Sequence, residues 1–579
     1  MASKVANTSY SLIVHAGLAS LAVVLSTSTI MSVASAQVPT SVQPGQLEKR
    51  FERDGAASAP SNIQAPVVTP APALSKEVQD RLSKQRFILK GVSVEGSTVY
   101  GTDAFQSLYA DKVGKQVSML DAQSIARQIT DRYRGDGYIL SQATVQSNAG
   151  GMLKIRVSEG YISNVVIQGD ARDSYRNLLQ HYGQNLTEKR PVTLADMERY
   201  MLLMDDLPGA TAKGVVRPSR TQPGSAELVV DMAHKPFEAS YTINNRGSKF
   251  VGPIQHSAIF SANSLFNMYD RTTLRLITTS PTTELRFIDL QHEQQISDEG
   301  TRLVLTGSFS HSEPGDSLKP TDIRGDSYFV QAKVLHPFLR SRQENLTGRF
   351  VVDARNSETD VFAVVDSSKD RLRVARAGVA YDFADSLAGV NLIDFEVSHG
   401  FNIFNASGKT GVLPARTNGE ADFTKVGLDI TRTQALPNNF SIFAAAASQY
   451  SFDRLLPAEQ FTLGGPSFGQ AYDPGELSGD HGIAGKLELR YGQGLGDPLL
   501  QSYQVYGFYD IGRTWLRNAG AGGNDKKSLA SAGFGVRTNF SEHLVGDFQV
   551  AKPLTKEASN QGADDGKHPR IFFNVTGRF

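Results

Sequence analysis

From about residue 235 to residue 579 the chain alternates apolar and polar side chains with a period of two and carries no sustained helical period. Leu303, Leu305, Gly307 and Phe309 share one face of such a segment, as do Ile393, Phe395 and Val397, then Val426, Leu428 and Ile430, then Leu487, Leu489 and Tyr491. The alternate positions are polar: Asp394, Glu396 and Ser398 in one segment, Lys486, Glu488 and Arg490 in another. Charges at these positions suit a wet interior and not a packed core. A soluble sandwich also alternates, with its polar face to solvent, so period alone does not decide. Connection lengths do. Strands are predicted at 236–246, 254–264, 270–280, 283–294, 300–312, 324–336, 346–357, 371–384, 389–402, 421–434, 438–450, 481–492, 502–515, 527–540, 543–553 and 569–579. Even-to-odd connections are then short, at 2–9 residues, and odd-to-even ones are mostly longer, up to 30. Short turns on one rim and long loops on the other are the outer-membrane barrel pattern, with the short turns periplasmic.

The rest of the composition agrees. No stretch after residue 40 holds eighteen consecutive apolar residues, so no membrane-crossing helix is expected. A membrane chain of this hydropathy must cross as a closed barrel, which alone besides the helix satisfies the backbone in lipid. The 59 basic and 59 acidic residues balance, which gives no global field toward nucleic acid. No cysteine is present, which removes disulfides, thiolate catalysis and Cys-based metal sites. In the last strand Ile571, Phe573, Val575, Gly577 and Phe579 share a face opposite Asn574, Thr576 and Arg578. This aromatic-ended strand, with Phe573 and Phe579, resembles the signal read by the machinery that inserts outer-membrane barrels.

The first 234 residues are organised differently. Lys4, an apolar run over 12–25 and Ala34-Ser35-Ala36 predict a secretory signal over 1–36. Residues 37–56 contain a short helical patch with Pro44 near its start and Leu47 and Phe51 spaced i, i+4. Residues 57–80 include a spacer rich in Pro and Ala. Two α/β units follow, over 81–160 and 161–234. In the first, a strand at 87–95, helical residues 102–110, a capping box at Ser118–Asp121, and strands at 138–145 and 153–157 are expected; Ile125, Ile129 and Tyr133 share the inner face of the helix behind the box. In the second, a strand at 162–168, a helix near 173–182, a capping box at Thr193–Asp196 before Met197, Met201 and Met204, and strands at 212–216 and 226–232 repeat that order. The repeated order and Val157-Ser158-Glu159-Gly160 resemble the POTRA domain, a periplasmic module that binds unfolded chains.

The longest predicted loop, 451–480, contains Leu463-Gly464-Gly465, then Gly469-Gln470-Ala471-Tyr472, then Glu476-Leu477-Ser478-Gly479-Asp480. It resembles the sixth extracellular loop of two-partner secretion transporters (TpsB proteins of the ShlB/FhaC/HecB haemolysin secretion/activation type). That family usually shows Val-Arg-Gly-Tyr/Phe in the middle tetrad, so Gln470 stands in place of an arginine and Ala471 in place of a glycine. The resemblance implies a loop folded into the lumen, with Gly464 and Gly465 at its turn and Gln470 facing Asp510 of Phe508-Tyr509-Asp510-Ile511-Gly512; Tyr472 is the first candidate for another contact that holds the loop. A glutamine amide is a weaker donor to a carboxylate than a guanidinium. The expectation is therefore a weaker docking, or a different cation beside Asp510. The resemblance also implies that Leu47 and Phe51 belong to a helix plugging the pore.

Enzyme readings find little support. Gly315-Asp316-Ser317-Leu318 matches an esterase string but lies between barrel strands, without the strand and helix that expose a nucleophile. Gly408-Lys409-Thr410 lacks the earlier glycine of a phosphate loop, and the histidines show no metal spacing. The expected fold class is α+β periplasmic POTRA repeats followed by an all-β transmembrane barrel of about sixteen antiparallel strands over 235–579. The resemblance implies a pore that secretes a large β-rich partner, an adhesin or haemolysin, in unfolded form. No enzyme activity, cofactor, metal or nucleic acid is expected; outer-membrane lipid and the barrel-assembly machinery are expected contacts. A barrel-assembly or insertase protein of the same superfamily and a passive porin or ligand receptor remain alternatives.

Overall fold

The computed structural model describes residues 38–54, 75–170, 176–219, 222, 224–362, 364–408, 414–517, 526–555 and 567–579. The predicted secretory signal and most of the predicted spacer lie outside the described residues.

In the first α/β unit, strand Gly91–Glu95 runs parallel to Met152–Ser158, which pairs antiparallel with Gln142–Ala149. Helix Met119–Gly135 covers this sheet and buries Ile125, Ile129 and Tyr133 to 1% exposure or less. In the second unit, Ile162–Gly169, Ala226–His234 and Ala210–Pro218 make a sheet of the same order, covered by helices Arg176–Glu188 and Leu194–Asp205. Both capping boxes form. Ser118 accepts from the Asp121 N–H at 3.1 Å while Asp121 accepts from the Ser118 N–H at 2.8 Å, and Thr193 and Asp196 repeat the exchange. The single strand expected at 87–95 is instead two: Arg86–Ile88 pairs with Gln116–Ser118, and the chain redirects at the fully buried Leu89 before Gly91. The helical segment at 102–110 is a 3₁₀ turn, Thr102–Leu108. The strand expected from residue 138 begins at Gln142, because a turn at 138–141 carries the chain away from the helix end.

Sixteen antiparallel strands close into a barrel in chain order, from Phe237–Asn244 to Arg570–Arg578. Closure is by five residue pairs, Asn574↔Asn244 to Arg578↔Ser240. Phe579 adds main-chain bonds with Ala239 at 2.8 and 3.3 Å. The alternation is two-sided. Leu487 and Leu489 are more than half exposed outward, while Lys486, Glu488 and Arg490 point into the lumen, where Arg490 meets Glu488 at 2.7 Å. In the last strand Ile571 is 73% exposed outward, and Phe572, on the face of Asn574, is 3% exposed inside.

Two connections are shorter than expected, and the one at 337–345 closes to a turn between Arg340 and Glu344. Residues 358–370 are not mainly loop: strands Glu344–Val361 and Val364–Ala384 continue through them and stay paired to Val361↔Val364. At the pairs Glu358↔Lys369 and Thr359↔Ser368 both faces are polar, so no apolar alternation marks the strands there. The opposite rim carries the second α/β unit. Arg340, the last residue of strand Arg324–Arg340, donates to both carboxylate oxygens of Asp206 at 2.7 Å, and Arg199 donates to Glu299 at 2.8 Å.

Candidate functional site

The barrel lumen is filled by two pieces of the chain itself. The first is the helix Pro44–Asp54. Leu47 and Phe51, each 3% exposed, pack with Val42, Val251, Ile277, Leu285 and Phe287, and the Phe51 and Phe287 rings lie 5.0 Å apart. The opposite side of the helix is charged, and the barrel wall meets it group by group. Glu48 is fully buried and accepts from Arg355 Nε at 3.1 Å, Ser327 Oγ at 2.6 Å and the Ser308 hydroxyl. The Arg355 guanidinium, itself buried, lies 4.6 Å over the Phe329 ring. Arg50 donates to Gln255 at 2.9 Å, and Arg275 donates to the Phe51 carbonyl at 2.8 Å, which occupies an acceptor at the open end of the helix.

The second piece is the loop between strands Phe440–Ser451 and His481–Gly494. Its two ends form a ribbon, Phe461–Leu463 against Leu477–Gly479, which the alternation pattern did not reveal because each strand is only three residues long. Gly464 and Gly465 turn at the top of this ribbon with φ of +105° and +93°. A Cβ on Gly464 would stand 2.0 Å from the Asp473 carbonyl, so no side chain fits there. Asp480, fully buried, holds the loop base by accepting from Arg416 NH2 at 2.9 Å and from the N–H groups of Leu455 and Arg517 at 3.0 and 2.8 Å.

The loop tip reaches Asp510, but not through the expected side chain. The Gln470 main-chain N–H donates to Asp510 Oδ2 at 3.1 Å, and Ser531 Oγ donates to Oδ1 at 2.5 Å. Gln470 Nε2 is buried and has no hydrogen-bond partner among the described residues. The positive φ of Gly469, +84°, accompanies this presentation of backbone to the carboxylate. Tyr472, 1% exposed, donates its hydroxyl to the Ala530 carbonyl at 3.1 Å and packs with Leu463, Phe508 and Leu529. No cation lies within 4.0 Å of Asp510 among the described residues; its cross-strand neighbour Lys486 donates to the Pro466 carbonyl at 3.0 Å. The arginines act elsewhere. Arg246 donates to the Gln470 carbonyl at 3.1 Å, and Arg570 donates to the Ala471 carbonyl at 2.8 Å and to Asp473 at 2.6 Å. Relative to the expected pairing, the charges are exchanged: the guanidinium is on the wall and the carboxylate on the loop.

Helix and loop meet at Glu459. Its buried carboxylate is 2.6 Å from Lys425, 2.7 Å from Arg376 and 3.4 Å from Lys49 of the helix. Gln46 of the helix also donates to the Pro457 carbonyl beside it. Glu48, Arg355, Glu459, Arg246 and Arg570 were not singled out by sequence reasoning. Glu48-Lys49-Arg50 reads as a solvated helix face, and only the surrounding barrel makes it an interior one. Ser317 of the esterase-like string sits in an exposed 3₁₀ turn, where its hydroxyl faces Asp316 at 3.4 Å.

Residues 87–160 match the POTRA domain, ShlB-type, and residues 224–538 match the family described as haemolysin secretion/activation protein ShlB/FhaC/HecB. The chain is 22% identical over 475 residues to the heme/hemopexin transporter protein HuxB of Haemophilus influenzae, covering 79% of this chain and 82% of the relative. It is 24% identical over 527 residues to the outer membrane transporter CdiB of Escherichia coli, covering 88% of this chain and 84% of the relative. A solved structure of CdiB from Escherichia coli superposes with a TM-score of 0.70 at 21% identity, over 92% of this chain and 98% of that one. With a barrel of this topology, a lumen holding its own helix and loop, and more than half of its length matched, the chain belongs to the ShlB/FhaC/HecB family of haemolysin secretion/activation proteins.

Proposed function

We propose that this chain is the outer-membrane pore of a two-partner secretion system and exports a large β-rich partner, of adhesin or haemolysin type, in unfolded form. The barrel spans the outer membrane and the POTRA portion lies in the periplasm. The observation that carries the proposal is the lumen itself. It is wide enough to hold a helix and a folded loop, and it holds them by ion pairs and hydrogen bonds that an incoming chain can exchange.

In this reading the two α/β units receive the partner. Each has a three-stranded sheet with open edges, to which an extended segment adds by main-chain hydrogen bonds with little demand on sequence. The bidentate Arg340–Asp206 pair keeps the second unit beside the barrel mouth. The partner displaces the helix 44–54, threads the lumen beside or in place of the loop 452–480, and folds outside, which gives the movement its direction. Leu47 and Phe51 act as the plug's apolar anchor, and Gln470, Tyr472, Asp510, Gly464 and Gly465 as the loop's docking set. Phe573 and Phe579 serve barrel insertion by the assembly machinery. The relatives matched are named as transporters, and no catalysis is proposed for this chain.

Deleting residues 87–232 tests the proposal. The barrel should still insert and migrate faster when unheated in detergent gels, while the partner stays in the periplasm. Undiminished export by the deletion would overturn the recognition role.

A further inference from the structure

The outward surface of the barrel changes character toward the rim away from the α/β units. On strand Val364–Ala384, Leu372 and Val374 are 1% and 3% exposed inside, and Arg376 points inward to Glu459 at 2.7 Å. The period of two therefore sends Arg371, Arg373, Ala375, Ala377 and Val379 outward. On the neighbouring strand Phe350 and Val352 are exposed opposite Ala377 and Ala375. The apolar band ends there, and two arginines follow. Ten residues separate Phe383, near the periplasmic end of the strand, from Arg373. At about 3.3 Å per residue and a tilt of about 40°, that is a climb of about 25 Å, the height of the apolar band in such barrels. Arg373 and Arg371 thus stand at the level of the outer-leaflet headgroups.

Neither arginine has an acidic partner among the described residues. Arg373 donates only to main-chain carbonyls, those of Leu372, Arg355 and Phe404 at 2.6, 3.2 and 3.3 Å. The Arg371 side chain makes no hydrogen bond among the described residues, and no described carboxylate comes within 4.0 Å of either guanidinium. Glu358, on the adjacent strand, is engaged by Lys369 at 3.5 Å. The segment 401–408 lies along these residues, its Phe401 and Ser407 N–H groups donating to the Arg373 and Arg371 carbonyls at 2.8 and 2.9 Å. It leaves Ile403 and Phe404 exposed at 48% and 81%.

Two like charges held two residues apart, without a carboxylate, repel each other unless an anion joins them. A phosphate accepts bidentate bonds from guanidinium groups. The exposed Phe404 beside them and the exposed Phe350, Val352 and Val379 below suit acyl chains. We infer that Arg371 and Arg373 bind the phosphate of a phosphorylated, multiply acylated glycolipid of the outer leaflet, with Phe404 and the apolar band below receiving its chains.

The test uses the full-length protein in dodecyl maltoside and native mass spectrometry. The ligands are bis-phosphorylated lipid A, dephosphorylated lipid A, phosphatidylglycerol and inorganic phosphate. The parent protein should retain bis-phosphorylated lipid A at least tenfold better than the dephosphorylated form or phosphatidylglycerol. Arg371→Gln combined with Arg373→Gln should abolish that preference. Arg324→Gln, which removes a rim arginine already 3.5 Å from Asp322, should leave it intact. Equal retention of both lipid A forms by the parent overturns the site without recourse to any variant. So does displacement of the lipid by millimolar inorganic phosphate, which would make this a free-anion site, or equal retention of phosphatidylglycerol, which would make it a generic anionic surface.

Discussion

Glu48 of the lumen helix and Arg355 of the barrel wall form an ion pair at 3.1 Å in which the two side chains are 0% and 2% exposed. A buried pair adds little net stability over an apolar isostere, but breaking one partner leaves a buried charge uncompensated, at a cost of about 3–5 kcal/mol. The pair is therefore less a source of stability than a register mark. It specifies where along the lumen the helix sits, and the hydroxyls of Ser308 and Ser327 support the same carboxylate.

Glu48→Gln should release the helix. The glutamine keeps the shape and an acceptor but removes the negative charge that Arg355 faces, so the docked state should lose roughly 3 kcal/mol, about a hundredfold in population. Single-channel recordings in planar bilayers should show more frequent and larger openings, approaching those of a variant lacking residues 37–56. Openings no more frequent than in the parent would remove the helix from the gate.

At the loop tip the prediction follows from where the charges are. Arg570→Gln removes the guanidinium that binds both Asp473 and the Ala471 carbonyl, charge-assisted bonds of about 1.5–3 kcal/mol each. Gln470→Ala removes a side-chain amide with no partner and should cost little. Gln470→Arg, by contrast, offers Asp510 a cation where none lies within 4.0 Å, and should tighten docking. The natural chain has no cysteine, so Ala471→Cys, at a fully buried position, reports undocking by its labelling rate. Labelling should be fastest with Arg570→Gln and slowest with Gln470→Arg. An arginine variant that labels as fast as the parent would show that the Gln470 N–H and the Ser531 hydroxyl already satisfy Asp510.

These charges also mark the limit of what the sequence disclosed. The sixteen strands were legible because lipid on one side and water on the other imprint a period of two. Where lipid ends, beyond Asn356 and Arg371, both faces turn polar at Glu358, Thr359, Ser368 and Lys369, and the paired strands read as loop. Phe508-Tyr509-Asp510-Ile511-Gly512 and the loop motif pointed to the right neighbours. Yet a main-chain donor such as the Gln470 N–H leaves no trace in side-chain identity. Arg570 and Asp473 lie 97 positions apart and belong to no common motif, so only the closed barrel brings them together.

In the first α/β unit the closing Glu159 sets a pH limit. Its carboxylate accepts from the Thr98 N–H at 2.7 Å, the Thr98 hydroxyl, the Val99 N–H at 3.0 Å and the Tyr133 hydroxyl at 2.7 Å. Partial burial works to raise its pKa, but the bonds from Thr98, Tyr133 and Val99 outweigh that and hold it below the ordinary glutamate value. A depressed folded pKa means a contribution that is complete above the unfolded value, about 4.3, and is lost as the pH falls from there through the folded value. Hydrogen exchange of the full-length protein should show segment 97–100 opening in that acid range, and Glu159→Gln should open it already at pH 7, by about 1–2 kcal/mol for a partly exposed site. Equal protection in parent and variant at pH 7 would mean that the turn is held by packing instead.

Glu459 should prove the residue that couples the two lumen pieces. Its carboxylate lies in the loop yet faces Arg376 and Lys425 of the wall and Lys49 of the helix, and Arg376 has Asp353 at 2.9 Å as its other acid. Remove the charge at 459 and Arg376, Lys425 and Lys49 each lose an ion pair at once, so repulsion among these neighbouring cations adds to the loss of each pair. Glu48→Gln breaks a contact between helix and wall only. Glu459→Gln breaks helix to loop, loop to wall, and the balance among the cations at once. The expected result is that Glu459→Gln raises both channel opening and Ala471→Cys labelling, whereas Glu48→Gln raises opening with labelling changed less than threefold. Combining Glu459→Gln with Lys49→Gln should cost less than the two separately, by about 0.5–3 kcal/mol as for residues in one network. Strict additivity, or a Glu459→Gln protein whose loop labels at the parent rate, would mean that helix and loop leave the lumen independently.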